Sequence, residues 1–162
     1  MNEEITNQVA KLAKILREQG RTVSVAESCT GGWLAKELTD LSGSSEWFVG
    51  GVISYSNEAK QNVLNVDAEL LDGFGAVSQP VAEAMAENVQ RIFTSSIAVS
   101  ITGIAGPSGG TTAKPVGLVW FGLKTEAKGV ESSCMTFQGN RNNVRFQAVN
   151  FALGLMIQAL ET

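Results

Sequence analysis

Apolar residues near the start of the chain recur at helical spacing. Ile5, Val9, Leu12 and Leu16 share one face and Gly20 supplies a stop, so the pattern predicts a helix over 3–19. The period then shortens. Residues 22–26, rich in β-branched side chains, predict a strand, and 31–41, with Leu34, Leu38 and Leu41 on one side, predict a second helix. A strand is expected over 47–55, a helix over 57–64 capped by Ser56 or Asn57, and a short helical turn opened by Asp67 before Gly73. Over 80–93, Val81, Met85, Val89 and Ile92 form a stripe, and Pro80 suits the first helical position. Residues 96–101 read as an apolar strand. Residues 116–124 and 130–137 read as an antiparallel pair turning at Lys128-Gly129, and 140–160 as a long closing helix.

Strands that alternate with helices, followed by one hairpin, predict an α/β fold. The expected architecture is a three-layer α/β/α sandwich around a mixed, mostly parallel sheet, in a single domain over 1–162. The segment 102–115 is the exception to this economy. A Gly/Pro/Thr loop of that length in a compact domain is usually functional or disordered.

Composition narrows the chemistry. Hydrophobic residues make up 44% and charged residues 17%, which suits a well-packed globule and favours a homo-oligomer. Twelve Lys+Arg against 16 Asp+Glu leave a net charge of -4, which argues against a nucleic-acid partner, because phosphate backbones demand a basic surface. No apolar run approaches the ~18 residues of a membrane span. Glu3 and Glu4 at the start of an amphipathic run are unlike a signal peptide, so a cytoplasmic protein without membrane association is expected. Cys29 and Cys134 are far apart and form no CxxC. There is no histidine at all, which removes Ser-His-Asp and Cys-His catalysis and His-ligated zinc. Thiolate metal sites are poorly supported as well. Catalysis must fall to Ser, Cys, Lys, Tyr, Thr or a carboxylate.

Four segments could hold it. Ala26-Glu27-Ser28-Cys29-Thr30-Gly31-Gly32 joins a strand to a helix, the junction where α/β sheets tend to bind ligands. Free N–H groups at that helix start could hold an oxyanion beside Ser28; alternatively Ser28 or Thr30 simply caps the helix. Cys29 reads better as a small packing residue than as a nucleophile, since no imidazole can pair with it. The segment 50–60 carries Tyr55 and, in an early helical turn, Lys60. The helix field and desolvation would lower the Lys60 pKa toward that of a usable base, the alternative being a solvated lysine and an edge tyrosine. In 100–115, Gly103, Gly106 and Gly109 recur directly after a strand, flanked by the hydroxyls of Thr102 and Thr111. The sequence is neither a Walker A loop nor GxGxxG, yet such a loop can form an anion nest. Finally, Arg141 and Arg145 lie four apart at a helix start, suited either to a phosphate or carboxylate or to a surface salt bridge.

Taken together, AESCTGG at 26–32, GVISYSNEAK at 51–60, GAVS at 75–78, the loop at 100–117 and GNRNNVR at 139–145 resemble the CinA C-terminal domain family. The motifs stand in the family's order over nearly the whole chain, and the chain looks like the stand-alone form of the domain. The family's active members are nicotinamide-nucleotide amidases. The resemblance implies hydrolysis of the carboxamide of nicotinamide mononucleotide to nicotinate mononucleotide and ammonia. It implies Ser28 as nucleophile, Lys60 as base and Tyr55 in their network, with neither a metal nor a cofactor. Thr30, Gly31, Thr102, Gly103, Ala105, Gly106 and Arg141 would border the substrate, with Arg141 near the phosphate. A nucleotide-binding module that keeps the pocket without the chemistry, or an amidase for another small amide, are the alternatives.

Overall fold

In the computed structural model, which describes residues 2–162, five strands form one sheet in the order β2-β1-β3-β4-β5. β1 (Val23–Glu27) lies between β2 (Phe48–Ile53) and β3 (Ile97–Gly103) and runs parallel to both. β4 (Leu118–Thr125) and β5 (Gly129–Thr136) continue the sheet antiparallel, completing the mixed sheet that the alternation predicts.

The helices cover both faces. Side chains alternate across each strand, so Val23 and Val25 on β1 and Ile97, Val99 and Ile101 on β3 point to one side. There they pack against α1 (Glu3–Gln19), α2 (Trp33–Asp40) and α6 (Arg141–Glu161). Ala26 and Ala98 point to the other side, against Val81, Met85 and Val89 of α5 (Gln79–Phe93). That side also receives α3 (Asn57–Asn62) and α4 (Ala68–Phe74) with the intervening Leu64 and Val66. The smallness of the residues beneath α5 sets its distance from the sheet. A Cβ on Gly122 would lie 2.3 Å from the Ala82 carbonyl oxygen. The Ser100 hydroxyl donates to that carbonyl at 2.6 Å and accepts the Gly122 N–H at 3.0 Å.

Local chemistry explains the boundaries. The Asn2 side chain accepts from the Glu4 and Ile5 amides to open α1, and Gly20 closes it at φ +63°. Ser56, not Asn57, caps α3, and Asp67 caps α4 as its sequence position predicts. Three expectations need correcting. α2 begins at Trp33 rather than 31, because Gly31 and Gly32 both take positive φ and cannot belong to a right-handed helix. β3 runs to Gly103, two residues past its expected end, so the loop proper starts at 104. Ile92 is exposed, although it extends the α5 stripe. Its neighbour Phe93 takes the packing position instead, lying over Gly50, where any side chain would collide with its ring.

Candidate active site

The parallel strands β1, β2 and β3 all end at the same edge of the sheet. The residues that follow them, 28–32, 54–60 and 104–106, meet there, which is the position where open α/β sheets bind ligands. A cleft of about 260 Å³ opens at this edge. Ser28, Tyr55, Lys60, Thr102, Gly106 and Arg141 are among its lining residues.

Ser28 is the first residue beyond β1 and is largely buried. Its backbone is fixed on two sides. The N–H donates to the Ile101 carbonyl of β3 at 2.9 Å, and the carbonyl accepts the Gly31 N–H at 3.1 Å. The preceding carbonyl, that of Glu27, accepts the Ser54 N–H at 2.8 Å, so the turn is tied to both neighbouring strands. The Glu27 side chain turns inward and accepts from the Leu34 and Ala35 amides at 2.9 and 3.0 Å. This alters the expected role of the helix start. Two of α2's free N–H groups are spent on Glu27, a carboxylate capping the positive end of the helix dipole, and do not wait for an oxyanion. Among the described residues, the backbone N–H groups of Cys29 and Thr30 have no protein acceptor, and Cys29 lines the cleft.

Lys60 reaches Ser28 from α3. It is 1% exposed, and its Nζ donates to Ser28 Oγ at 2.9 Å, to the Ser54 carbonyl at 2.8 Å and to the Tyr55 carbonyl at 3.2 Å. The two carbonyls orient the amine and fix its third bond on the serine. Burial pushes the Lys60 pKa down from 10.5 to about 8. Both the burial and the contact are what a serine-activating base requires. Cys29 differs sharply from its neighbour. Burial pushes its thiol up to about 11, and the residue belongs to the hydrophobic core, so the thiolate is withheld.

The remaining candidates divide. The Tyr55 phenol does not touch Ser28 or Lys60; it is exposed and accepts from Arg141 Nη2 at 3.1 Å, while only its backbone carbonyl joins the lysine. Arg141 also donates to the Gly106 carbonyl at 2.8 Å, so both of its bonds go to neutral oxygens on the cleft wall. Thr102 lines the cleft, but its hydroxyl donates to the Ala76 carbonyl and holds the 75–78 turn in place. Gly103 and Ala105 line the cleft as well, Gly103 at a point where Val119 leaves no room for a Cβ. Thr30 and Gly31 do not line it. Thr30 is fully buried and Gly31 faces Arg145.

Gly109, one of the recurring loop glycines, lines the wall with Asn57, Ala76, Val77, Ile104 and Ser108, none of which the sequence assigned to a site. The cue available for Asn57 was the neighbouring Ser56, a cap in its own right, which releases Asn57 from that duty. A larger cavity of about 380 Å³ lies at the other end of the sheet, between Arg21, Leu123, Lys128 and the end of α6. Neither Ser28 nor Lys60 lines it, and size alone does not make it the reactive site. Among the described residues, no cluster of three or more His, Cys, Asp or Glu side chains is placed to hold a metal, and no helix is long and apolar enough to cross a membrane.

A CinA-like protein of Mycolicibacterium gilvum (strain PYR-GCK) is 51% identical over 141 residues, which is 87% of this chain and 33% of the relative. The nicotinamide-nucleotide amidohydrolase PncC of Escherichia coli (strain K12) is 44% identical over 157 residues, 97% of this chain and 95% of that protein. The chain thus spans about a third of the length of the CinA-like relatives and nearly all of PncC. The crystal structure of the competence/damage inducible protein CihA from Agrobacterium tumefaciens has the same fold, with a TM-score of 0.96 and 37% identity over 100% of this chain and 98% of that one. The family model described as the CinA C-terminal domain matches residues 5–160, and the chain belongs to that family.

Proposed function

We propose that the protein is a nicotinamide-nucleotide amidohydrolase, converting nicotinamide mononucleotide to nicotinate mononucleotide and ammonia through a Ser28–Lys60 dyad. One observation carries the reading: the Lys60 amine, desolvated and held by two carbonyls, bonds Ser28 Oγ at 2.9 Å inside the cleft. The name of the E. coli relative, similar over nearly the whole chain, supports the substrate.

The chemistry follows from the geometry. Neutral Lys60 takes the Ser28 proton as Oγ attacks the carboxamide carbon. Negative charge then develops on the amide oxygen, where the free Cys29 amide at the cleft wall offers a donor worth on the order of 3 kcal/mol. Lys60 returns the proton to the leaving nitrogen, and ammonia departs. Water, with its proton taken by the same amine, cleaves the resulting ester. Arg141, a cation bonded only to neutral acceptors, is assigned to the nucleotide phosphate. Tyr55 orients that arginine through its hydroxyl. The reading includes a single domain, a cytoplasmic setting, no nucleic-acid partner and a homo-oligomer. Exposed Val49 and Ile53 along the free edge of β2 support the last.

The test is ammonia release. Wild type is expected to deamidate the mononucleotide, to act far more slowly on the riboside lacking the phosphate, and to lose turnover by about 10³-fold or more in Ser28→Ala. Thermal stabilisation by the mononucleotide without ammonia would turn the assignment into a binding module.

A further inference from the structure

The two arginines of α6 point to different tasks, and the second has a task that the proposed reaction does not assign. Arg145 lies one turn beyond Arg141 and does not line the cleft. Its Nε donates to the Cys29 carbonyl at 3.0 Å and its Nη2 to the Thr30 carbonyl at 3.1 Å. The guanidinium lies 5.4 Å from the centre of the Trp33 ring, which fixes its plane. No carboxylate among the described residues pairs with it. The fork is therefore spent on two successive carbonyls of the turn that carries Ser28.

We propose that Arg145 is a positioning residue for Ser28, acting through the backbone of residues 29–31. The inference rests on the Ser28–Lys60 reading. A trans peptide points its C=O and N–H in opposite directions. The Thr30 carbonyl is held by Arg145 together with the Trp33 N–H at 3.0 Å, which aims the Gly31 N–H the other way, and that N–H donates to the Ser28 carbonyl. Holding the Cys29 carbonyl likewise turns the Thr30 N–H, which has no protein acceptor among the described residues, away from the arginine. One guanidinium thus bears on two peptide planes, the first shared with the Trp33 N–H and the second held by the arginine alone. The first anchors the nucleophile's own backbone and the second directs a free donor. A lysine here would offer one nitrogen with rotating donors in place of two nitrogens fixed in one plane.

The experiment reads the nucleophile separately from the substrate. A fluorophosphonate probe forms a bond between Ser28 Oγ and phosphorus, fluoride leaves, and the serine proton passes to Lys60. The Arg145→Ala variant is expected to lower the labelling rate of Ser28 and kcat by about tenfold or more each, with KM within about twofold. Added methylguanidinium is expected to restore part of both rates, and the pH midpoint of labelling is expected to stay put. A folded variant with wild-type labelling and kcat overturns the proposal, as does a rise in KM with kcat preserved. Should Arg145→Ala not fold, Arg145→Lys replaces it: slowed labelling at wild-type KM supports the positioning role, and wild-type labelling overturns it. Wild-type protein that labels at Ser28 but releases no ammonia from the mononucleotide sinks the substrate reading and leaves the labelling comparison decisive for Arg145.

Discussion

Two buried charges flank the nucleophile, and they are used in opposite ways. Glu27 and Lys60 are each 1% exposed, and each reaches fixed backbone groups. Glu27 finds two amides of α2, so its charge is fully answered by the start of a helix. Lys60 finds two carbonyls and a serine hydroxyl, and the third partner is reactive. A buried charge answered wholly by scaffold holds a fold together. A buried charge left one bond short of complete satisfaction by scaffold is available for a reaction. The chain places both kinds within one turn of Ser28, one from the residue before it and the other from a helix 32 positions later.

That contrast can be broken at either end. Lys60→Met is expected to cost about 10³-fold or more in kcat, read by ammonia release, while the folded core persists. Glu27→Ala is expected to act first on stability, lowering it by about 2–3 kcal/mol in urea unfolding, because two helix-start amides lose a charged acceptor. A Glu27→Ala variant with wild-type stability would erase the distinction. The pH dependence sharpens it. Lys60 is displaced downward to about 8, so the neutral, reactive fraction increases as pH climbs to that value, and kcat/KM should grow about tenfold per unit before levelling there. The stability sign runs the same way. Between about 8 and 10.5 the unfolded lysine keeps a proton that the folded one has released, so wild type gains stability relative to Lys60→Met as pH rises through that window. Flat stability difference curves across it would show that the amine is not desolvated. The smallest effect belongs to Cys29. With its thiol raised to about 11, Cys29→Ala should retain kcat within about threefold, and iodoacetamide should leave the wild-type residue unmodified at neutral pH.

The sequence made most elements legible because their signals are local. The α1 stripe and Gly20 stop, the Asp67 cap and the hairpin all lie within a few residues of what they specify, although the turn is 126–128 and Gly129, read as part of it, already pairs with Thr125. The residues that chemistry would need were legible for another reason: without histidine, few side chains could activate Ser28. The geometry around them was not legible. Nothing near Thr102 reveals that its hydroxyl is spent on Ala76, 26 residues away. Arg145 holds carbonyls 115 and 116 positions earlier, and a spacing of four from Arg141 gave both arginines the same appearance. Ile92 misled because its spacing fits the stripe while the helix end hands the contact to Phe93.

The bond from Lys60 to the Ser54 carbonyl closes a small loop of chain on itself. The amine's reach is thereby set by the number of residues in that interval, as a ruler is set by its marks. Adding or removing one residue between 54 and 60 would carry the amine off the hydroxyl.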